Sequence, residues 1–366
     1  RHGRTDPPPR RPSTAPELPP DHAFDTATYD ACRTDDQRDA VRAFERLREP
    51  GNAVVVEADR GRGKSSAAGL AAADLAQSGR DVLVTAPSYR SGAELFSRAA
   101  ALLETTGVPV DAEPADNPQR LCVATDHGGR IRFEPPASAV GLPGEPDVVV
   151  VDEAAALPVR RLEALCEAPA VAFTTTVHGY EGAGRGFSVR FRDHLAESDH
   201  TITEATMTTP IRYGPADPVE TWAFRALLLD ARPPVDPLVA GATPETVTYR
   251  RLTPSELLAD EQLLREVFGL LVLAHYRTEP TDLARLLDAP NLSVRALTES
   301  GHVVAVALLA REGGLDAETR ERMDAGERVR GNMLPDVLTS QLRDRNAATT
   351  EGYRVMRIAT HHAARS

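Results

Sequence analysis

Hydrophobic positions along this chain recur in two rhythms. From Thr34 the pattern is helical: Val41, Phe44 and Leu47 return at spacings of three, with Thr34 placed to cap the start and Pro50-Gly51 to end the helix. Asn52-Ala-Val-Val-Val-Glu57 is a continuous apolar run, which predicts a buried strand. A Gly/Arg loop from Asp59 to Gly63 follows, then an Ala-rich helix from Lys64 to Gln77 that Ser78-Gly79 ends. Asp81-Val-Leu-Val-Thr85 is the next strand and leads into a helix through Leu103. Strand, loop, helix and strand in this order predict an α/β fold with a parallel sheet and crossover helices.

Residues 107–145 are rich in Pro, Gly and Asp, with a short hairpin expected near Leu121–Phe133. Two more buried strands are expected at Asp147–Val151 and Val171–Val177. A Pro/Gly-rich stretch, Pro233 to Pro244, then separates a second pattern: a long helix across Glu256–His275 and strands at Leu292–Leu297, Val303–Ala310 and Val355–Thr360. No internal repeat is visible. The organisation expected is a Pro-rich linker over 1–24, a P-loop domain over 25–235 and a second α/β domain over 245–366. The linker has too few apolar residues to offset its ordering entropy.

With 366 residues the chain has length enough for two cores. Its net charge of −12 argues against a simple nucleic-acid-binding domain, which is usually basic. Lys64 is the only lysine, so arginine supplies every other fixed cation. That balance suggests a high-salt cytoplasm or a GC-rich genome, and RNA contacts in high salt gain little from counterion release. Cys32, Cys122 and Cys166 lie far apart with no Cys-x-x-Cys pair, which disfavours a zinc site or disulfide framework and fits a reducing cytoplasm. No apolar run approaches the roughly 18–20 residues of a membrane span. The chain lacks an initial Met and a signal peptide, as an internal fragment would.

The candidate chemistry begins at Ala58-Asp59-Arg60-Gly61-Arg62-Gly63-Lys64-Ser65, a P-loop pattern with Ala in place of its first Gly. It lies after a buried strand and before a helix, where the mechanism needs it. Gly61 and Gly63 let backbone N–H groups turn toward phosphates, and the helix N-terminus, with Ser66 in its first turn, adds partial positive charge. Lys64 would reach the β- and γ-phosphates, and the Ser65 hydroxyl would bind Mg²⁺. Four valines run into Asp152-Glu153, placing an acidic pair at the C-terminal edge of a buried strand. There Asp152 would hold Mg²⁺ and Glu153 would polarise the attacking water; the plain alternative is a helix start capped by two acids. Gln37, in Thr34-x-x-Gln37, resembles the adenine-reading glutamine of helicase-like ATPases, against the alternative of an exposed helix glutamine. Arg212 and Arg185 are candidates to contact the γ-phosphate or sense the nucleotide, against the reading of surface arginines or structural ion pairs.

Four stretches carry a family resemblance: Ala58–Ser65, Asp152-Glu-Ala-Ala-Ala-Leu-Pro158, Thr176-Val-His-Gly-Tyr-Glu-Gly-Ala-Gly-Arg185-Gly-Phe187, and Pro210-Ile-Arg212-Tyr213. In that order they resemble the motifs of the tRNA(Met) cytidine acetyltransferases and their archaeal and eukaryotic RNA cytidine acetyltransferase relatives. The resemblance implies a RecA-like P-loop module followed by a GNAT acetyltransferase domain. It also implies ATP-dependent acetylation of the N4 amine of a cytidine in an elongator tRNA-Met-like anticodon or other RNA. The cofactors implied are acetyl-CoA, Mg²⁺ and ATP, with GTP left open. Tyr276-Arg-Thr-x-Pro280, Leu286-Leu-Asp-x-Pro290 and Arg330-Gly-Asn-Met-Leu-Pro335 resemble the transferase segment, and Arg357–His361 its acetyl-CoA strand.

By that resemblance Ile358, Ala359 and Thr360, with Arg365 and Ser366, would meet acetyl-CoA. The expected pyrophosphate loop would begin where the sequence stops, so weak acetyl-CoA binding beside intact ATP binding is expected. The transferase base stays unassigned, and His361 and His362 read as exposed or incidental. The arginines from Arg320 to Arg345 are interleaved with acids and read as a solvated helix face rather than an RNA contact. A helicase-like RNA-remodelling ATPase and a protein acetyltransferase with a regulatory ATPase are the rival functions.

Overall fold

The apolar run Asn52–Ala58 forms strand β1, covered on both sides by parallel neighbours. The computed structural model describes residues 16–111, 120–123, 129–176, 191–273, 280–344 and 346–364. A division at Trp222/Ala223 separates two compact units. In the first, β1 is joined by β2 (Asp81–Thr85), β3 (Val110–Asp111), β4 (Arg120–Val123), β5 (Arg130–Phe133), β6 (Val148–Val151), β7 (Ala170–Thr176) and β8 (Thr201–Met207). The sheet order is β3-β4-β5-β2-β6-β7-β1-β8. Every pair from β5 to β8 is parallel, while β3, β4 and β5 are antiparallel, so the expected hairpin extends the sheet at one edge.

Side chains alternate across this sheet as the pleat requires. Val54, Val56 and Ala58 enter one core with the helices Asp35–Phe44 and Lys64–Gln77. Ala53 and Val55 enter the other, with Leu162 and Phe191. The Ala-rich composition of Lys64–Gln77 suits close packing: Gly69 lies so near the Leu95 carbonyl of helix Tyr89–Thr105 that a Cβ would collide with it.

The second unit is built on an antiparallel sheet of β9 (Thr248–Leu252), β10 (Leu292–Glu299), β11 (His302–Glu312) and β12 (Gly352–Thr360), in the order β12-β11-β10-β9. Ser300 and Gly301 turn β10 into β11 with φ of +49° and +89°, as a tight hairpin demands. Helix Glu261–Leu273 packs on β11 and β12.

The single helix expected across Glu256–His275 is in fact two, Pro254–Ala259 and Glu261–Leu273. Asp260 leaves helical geometry at ψ 94° and its carboxylate accepts the Leu263 N–H, capping a new helix. His275 lies outside the described residues. β8, β9 and helix Pro218–Leu227 were not foreseen. β8 is a half-exposed edge strand of sequence Thr-Ile-Thr-Glu-Ala-Thr-Met, with no continuous apolar run to announce it. No helix among the described residues is long and apolar enough to cross a membrane.

Candidate functional site

The P-loop turns on two glycines in the left-handed region, Gly61 at φ +79° and Gly63 at φ +89°. Gly63 immediately precedes helix Lys64–Gln77, whose first N–H groups therefore face the loop. The segment after β8 holds the loop from outside. Ile211 N–H donates to Gly61 O at 2.9 Å, and the Ile211 side chain fills the space that a Cβ on Gly63 would need. Buried Arg62 donates to the carbonyls of Thr208 (2.9 Å) and Arg60 (3.0 Å), to the Tyr213 hydroxyl (2.9 Å) and to Glu220 (2.6 Å). Arg62 thus faces away from the cleft and fixes the loop to its support.

Sheet order brings the two distant motifs together. β7 lies between β1, which leads into the P-loop, and β6, which ends in Asp152-Glu153. Lys64 Nζ sits 2.6 Å from Glu153 Oε1. Ser65 Oγ donates to Asp152 Oδ1 at 3.1 Å. The same oxygen accepts the Thr174 hydroxyl and the Glu153 N–H. Asp152 is fully buried, and burial pushes its carboxyl above the usual range, against the opposing pull of Lys64 and the Thr174 and Ser65 hydroxyls.

Asp152 Oδ2 has no hydrogen-bond partner. A buried carboxylate oxygen left unsatisfied beside a serine hydroxyl is a hard-oxygen donor set, and it fits Mg²⁺ or its bound water. Glu153 takes φ +51°, rare for a residue with a side chain and costly enough that the surroundings must impose it. Thr176 donates to its Oε2 at 2.9 Å.

A cavity of about 350 Å³ opens over the loop. Its walls carry the cationic side chains of Arg33, Arg60, Lys64, Arg98 and Arg212. Three carboxylates, Asp59, Glu94 and Glu153, share them. In a chain of net charge −12 this cleft has a local excess of positive charge, the field a polyphosphate needs. Gly61, Gly63, Ser65, Ser66 and Ile211 complete it. Arg212 is exposed on the rim.

Gln37 departs from the expectation. It is 1 % exposed and does not line the cavity. Its Oε1 accepts the Arg33 N–H at 2.8 Å and its Nε2 reaches Gly63 O at 3.5 Å, so the amide braces the loop from beneath. Its neighbour Asp36 accepts the N–H groups of Thr208 and Thr209, each at 2.7 Å. Sequence reasoning gave no site role to Asp36, Arg33, Glu94, Arg98, Thr174 or Thr176. Only the threonines had a signal, three consecutive hydroxyls ending an otherwise apolar strand.

In the second unit Ile358 is exposed, Ala359 buried and Thr360 half-buried on β12, the outer strand of its sheet. An edge strand is a suitable partner for an extended ligand arm. The register shifts between Leu308 and Leu309, opposite Arg357 and Val355, a bulge at the head of that segment. Arg185, Arg365 and Ser366 lie outside the described residues. His361, read as exposed or incidental, is buried instead: its Nε2 lies 2.8 Å from the Pro234 carbonyl, because the end of β12 is tied to the 234–236 segment. His362 is exposed and pairs with Asp236 at 3.0 Å.

Comparison with known proteins extends these findings. Residues 55–230 match the model "RNA cytidine acetyltransferase NAT10/TcmA, helicase domain", and residues 266–366 match "GNAT acetyltransferase 2". The tRNA(Met) cytidine acetyltransferase TmcA of Haloarcula marismortui is 69% identical over 364 residues, covering 100% of this chain and 47% of that protein. The chain belongs to this family. The TmcA of Haloferax volcanii is 63% identical over 98% of this chain and 46% of its own length. That of Thermococcus kodakarensis is 35% identical over 94% and 43%. The chain thus spans about half the length of the curated relatives it matches. The first two relatives are from halophilic archaea, in keeping with the acidic, lysine-poor composition of this member of the family.

Proposed function

We propose that this chain carries the ATPase of an RNA cytidine acetyltransferase together with part of its acetyl-transfer unit. The whole enzyme would acetylate the N4 amine of a cytidine in tRNA with acetyl-CoA. The observation that carries the ATPase reading is the meeting of Lys64 and Ser65 with Asp152 and Glu153 in one cationic cleft.

In this reading Asp59 to Ser66 wrap the phosphates, Lys64 leaves Glu153 for the β- and γ-phosphates, and Ser65 and Asp152 hold Mg²⁺. When bound there, Mg²⁺ would supply charge neutralisation for the phosphate oxygens. Glu153 polarises the attacking water, and Arg212, on the rim, reaches the γ-phosphate. Gln37 acts through Gly63, keeping the loop in shape, and GTP is an alternative substrate to ATP.

ATP turnover would rearrange RNA or protein so that one cytosine reaches the transferase. There Ile358, Ala359 and Thr360 would line the pantetheine arm. The cytosine amine attacks the thioester carbonyl, a C–N bond forms, the C–S bond breaks and CoA leaves as thiol. That amine is conjugated to its ring and weakly nucleophilic, so positioning matters more than a strong base. The test incubates the full-length enzyme with tRNA, acetyl-CoA and ATP and digests the RNA to nucleosides. An N4-acetylcytidine peak is expected. Unwinding without acetylation, or acetylated protein instead, would overturn the assignment.

A further inference from the structure

Thr174 and Thr176 stand on the strand that separates the P-loop strand from the acidic strand. Register explains their reach. β7 pairs with β1 through Val56↔Thr174 and Ala58↔Thr176, and with β6 through Val151↔Phe173. Thr174 is therefore one step past the last β6 pair, level with Asp152, and Thr176 lies two steps further on the same face of the strand. Thr175 points to the opposite face, and its hydroxyl has no hydrogen-bond partner. Both Thr174 and Thr176 are buried where valine would fill the same space, so packing alone does not call for a hydroxyl. Each spends its proton on one carboxylate: Thr174 on Asp152 Oδ1, Thr176 on Glu153 Oε2 at 2.9 Å.

We propose that Thr174 and Thr176 are positioning residues of the ATPase: Thr174 aims the Asp152 carboxylate at the metal, and Thr176 keeps Glu153 aimed at the water once Lys64 has left it. The inference rests on the ATPase reading above. Glu153 is held on two sides, Oε1 by Lys64 and Oε2 by Thr176. Nucleotide takes away the first hold. The second is what remains to keep a carboxylate at φ +51° from swinging into solvent. The two hydroxyls therefore have separable effects. Thr176 governs turnover, because it acts on the group that works only during hydrolysis. Thr174 governs metal dependence.

The test uses the whole chain with Thr176→Val, Thr176→Ser, Thr174→Val and Thr174→Ser. For Thr176→Val, kcat for ATP is expected to fall about tenfold with KM changed less than about twofold, and serine is expected to restore kcat. For Thr174→Val, the Mg²⁺ concentration for half-maximal binding of a non-hydrolysable ATP analogue, read by isothermal titration, should rise about tenfold, with serine again restoring it. Thermal unfolding midpoints of the valine variants should stay near wild type, since shape is preserved. Equal kcat in wild type and Thr176→Val, or an unchanged Mg²⁺ requirement in Thr174→Val, overturns the corresponding half of the inference. Loss of activity that serine does not restore, accompanied by a lowered midpoint, shows a merely structural role and overturns it too. A wild-type chain that neither binds nor hydrolyses ATP overturns the ATPase reading itself, and the inference with it.

Discussion

Lys64 Nζ and Glu153 Oε1 are 2.6 Å apart, so the cation proposed for the phosphates and the carboxylate proposed for the water hold each other. Both side chains are largely withdrawn from solvent, 8% and 20% exposed, which leaves the pair little screened by water. In the proposed function an arriving γ-phosphate would displace Glu153 from Lys64 and so free the proposed base once the substrate is in place. Binding and activation would thereby be linked through one ion pair.

Lys64 is the chain's only lysine, so amine-reactive reagents have a single side-chain target. ATP with Mg²⁺ at ten times its Kd should slow acylation of Lys64 about tenfold, by occupancy alone. Peptide mapping after timed labelling measures this. Equal labelling with and without nucleotide would place the phosphates elsewhere. Lys64→Ala should abolish hydrolysis.

Glu153→Gln separates binding from turnover. The amide keeps the shape and can still accept from Thr176, but it releases Lys64 from its counter-charge. ATP should bind at least as tightly as in wild type, while kcat falls about 10²–10⁴-fold with the loss of the base. Titration calorimetry and phosphate release give the two numbers. A normal hydrolysis rate in this variant removes Glu153 from the mechanism.

Arg62 and Glu220 form the ion pair that anchors the loop, with side-chain exposures of 8% and 17%. Breaking such a pair from one side leaves a charge without its partner, so Arg62→Ala is expected to cost about 3–5 kcal/mol in denaturant unfolding. Glu220→Gln, which keeps an acceptor for Arg62, should cost less than half of that. A loss below about 1 kcal/mol for Arg62→Ala would show that Ile211 and Gln37 hold the loop without it.

The P-loop and the acidic pair were legible because each is a local pattern with a strand on one side. Motif chemistry put Ser65 and Asp152 on one metal, but the strand between them was not legible: β7 is inserted between β1 and β6, and sheet order leaves no trace in local periodicity. Gln37 shows the limit from the other direction: its spacing from the P-loop suggested a base contact, yet burial turns its amide to the backbone of Arg33 and Gly63. The helix break at Asp260 and the edge strand β8 were missed for opposite reasons. One is a capping residue inside a periodic run, the other a strand too polar to stand out. Arg33, Glu94 and Arg98 meet the cleft from segments that carry no motif.

Two aspartates in the P-loop unit should give stability opposite dependences on pH. Asp74 is buried, and burial raises its carboxyl above its ordinary value, although it accepts from Asp25 N–H and the Thr28 hydroxyl. Asp36 feels burial as well, but the N–H groups and hydroxyls of Thr209 and Thr208 outweigh it and hold its carboxyl below the ordinary value. A raised folded value means that the ionised form is disfavoured in the native state, so the contribution of Asp74 is largest below its unfolded value and is lost as pH rises through the folded one. A depressed folded value means the reverse: the contribution of Asp36 is present above its unfolded value and is lost as pH falls through the folded one.

Asp74→Asn should therefore stabilise the protein near pH 7, by about 1 kcal/mol, with the gain vanishing in acid. Asp36→Asn should destabilise it near pH 7, by about 1 kcal/mol after allowance for solvent screening, with the loss shrinking below about pH 4. The informative quantity is the difference between variant and wild type, followed by urea unfolding at each pH. Two difference curves of the same sign at neutral pH would show that hydrogen-bond geometry at these positions, and not charge, sets their worth.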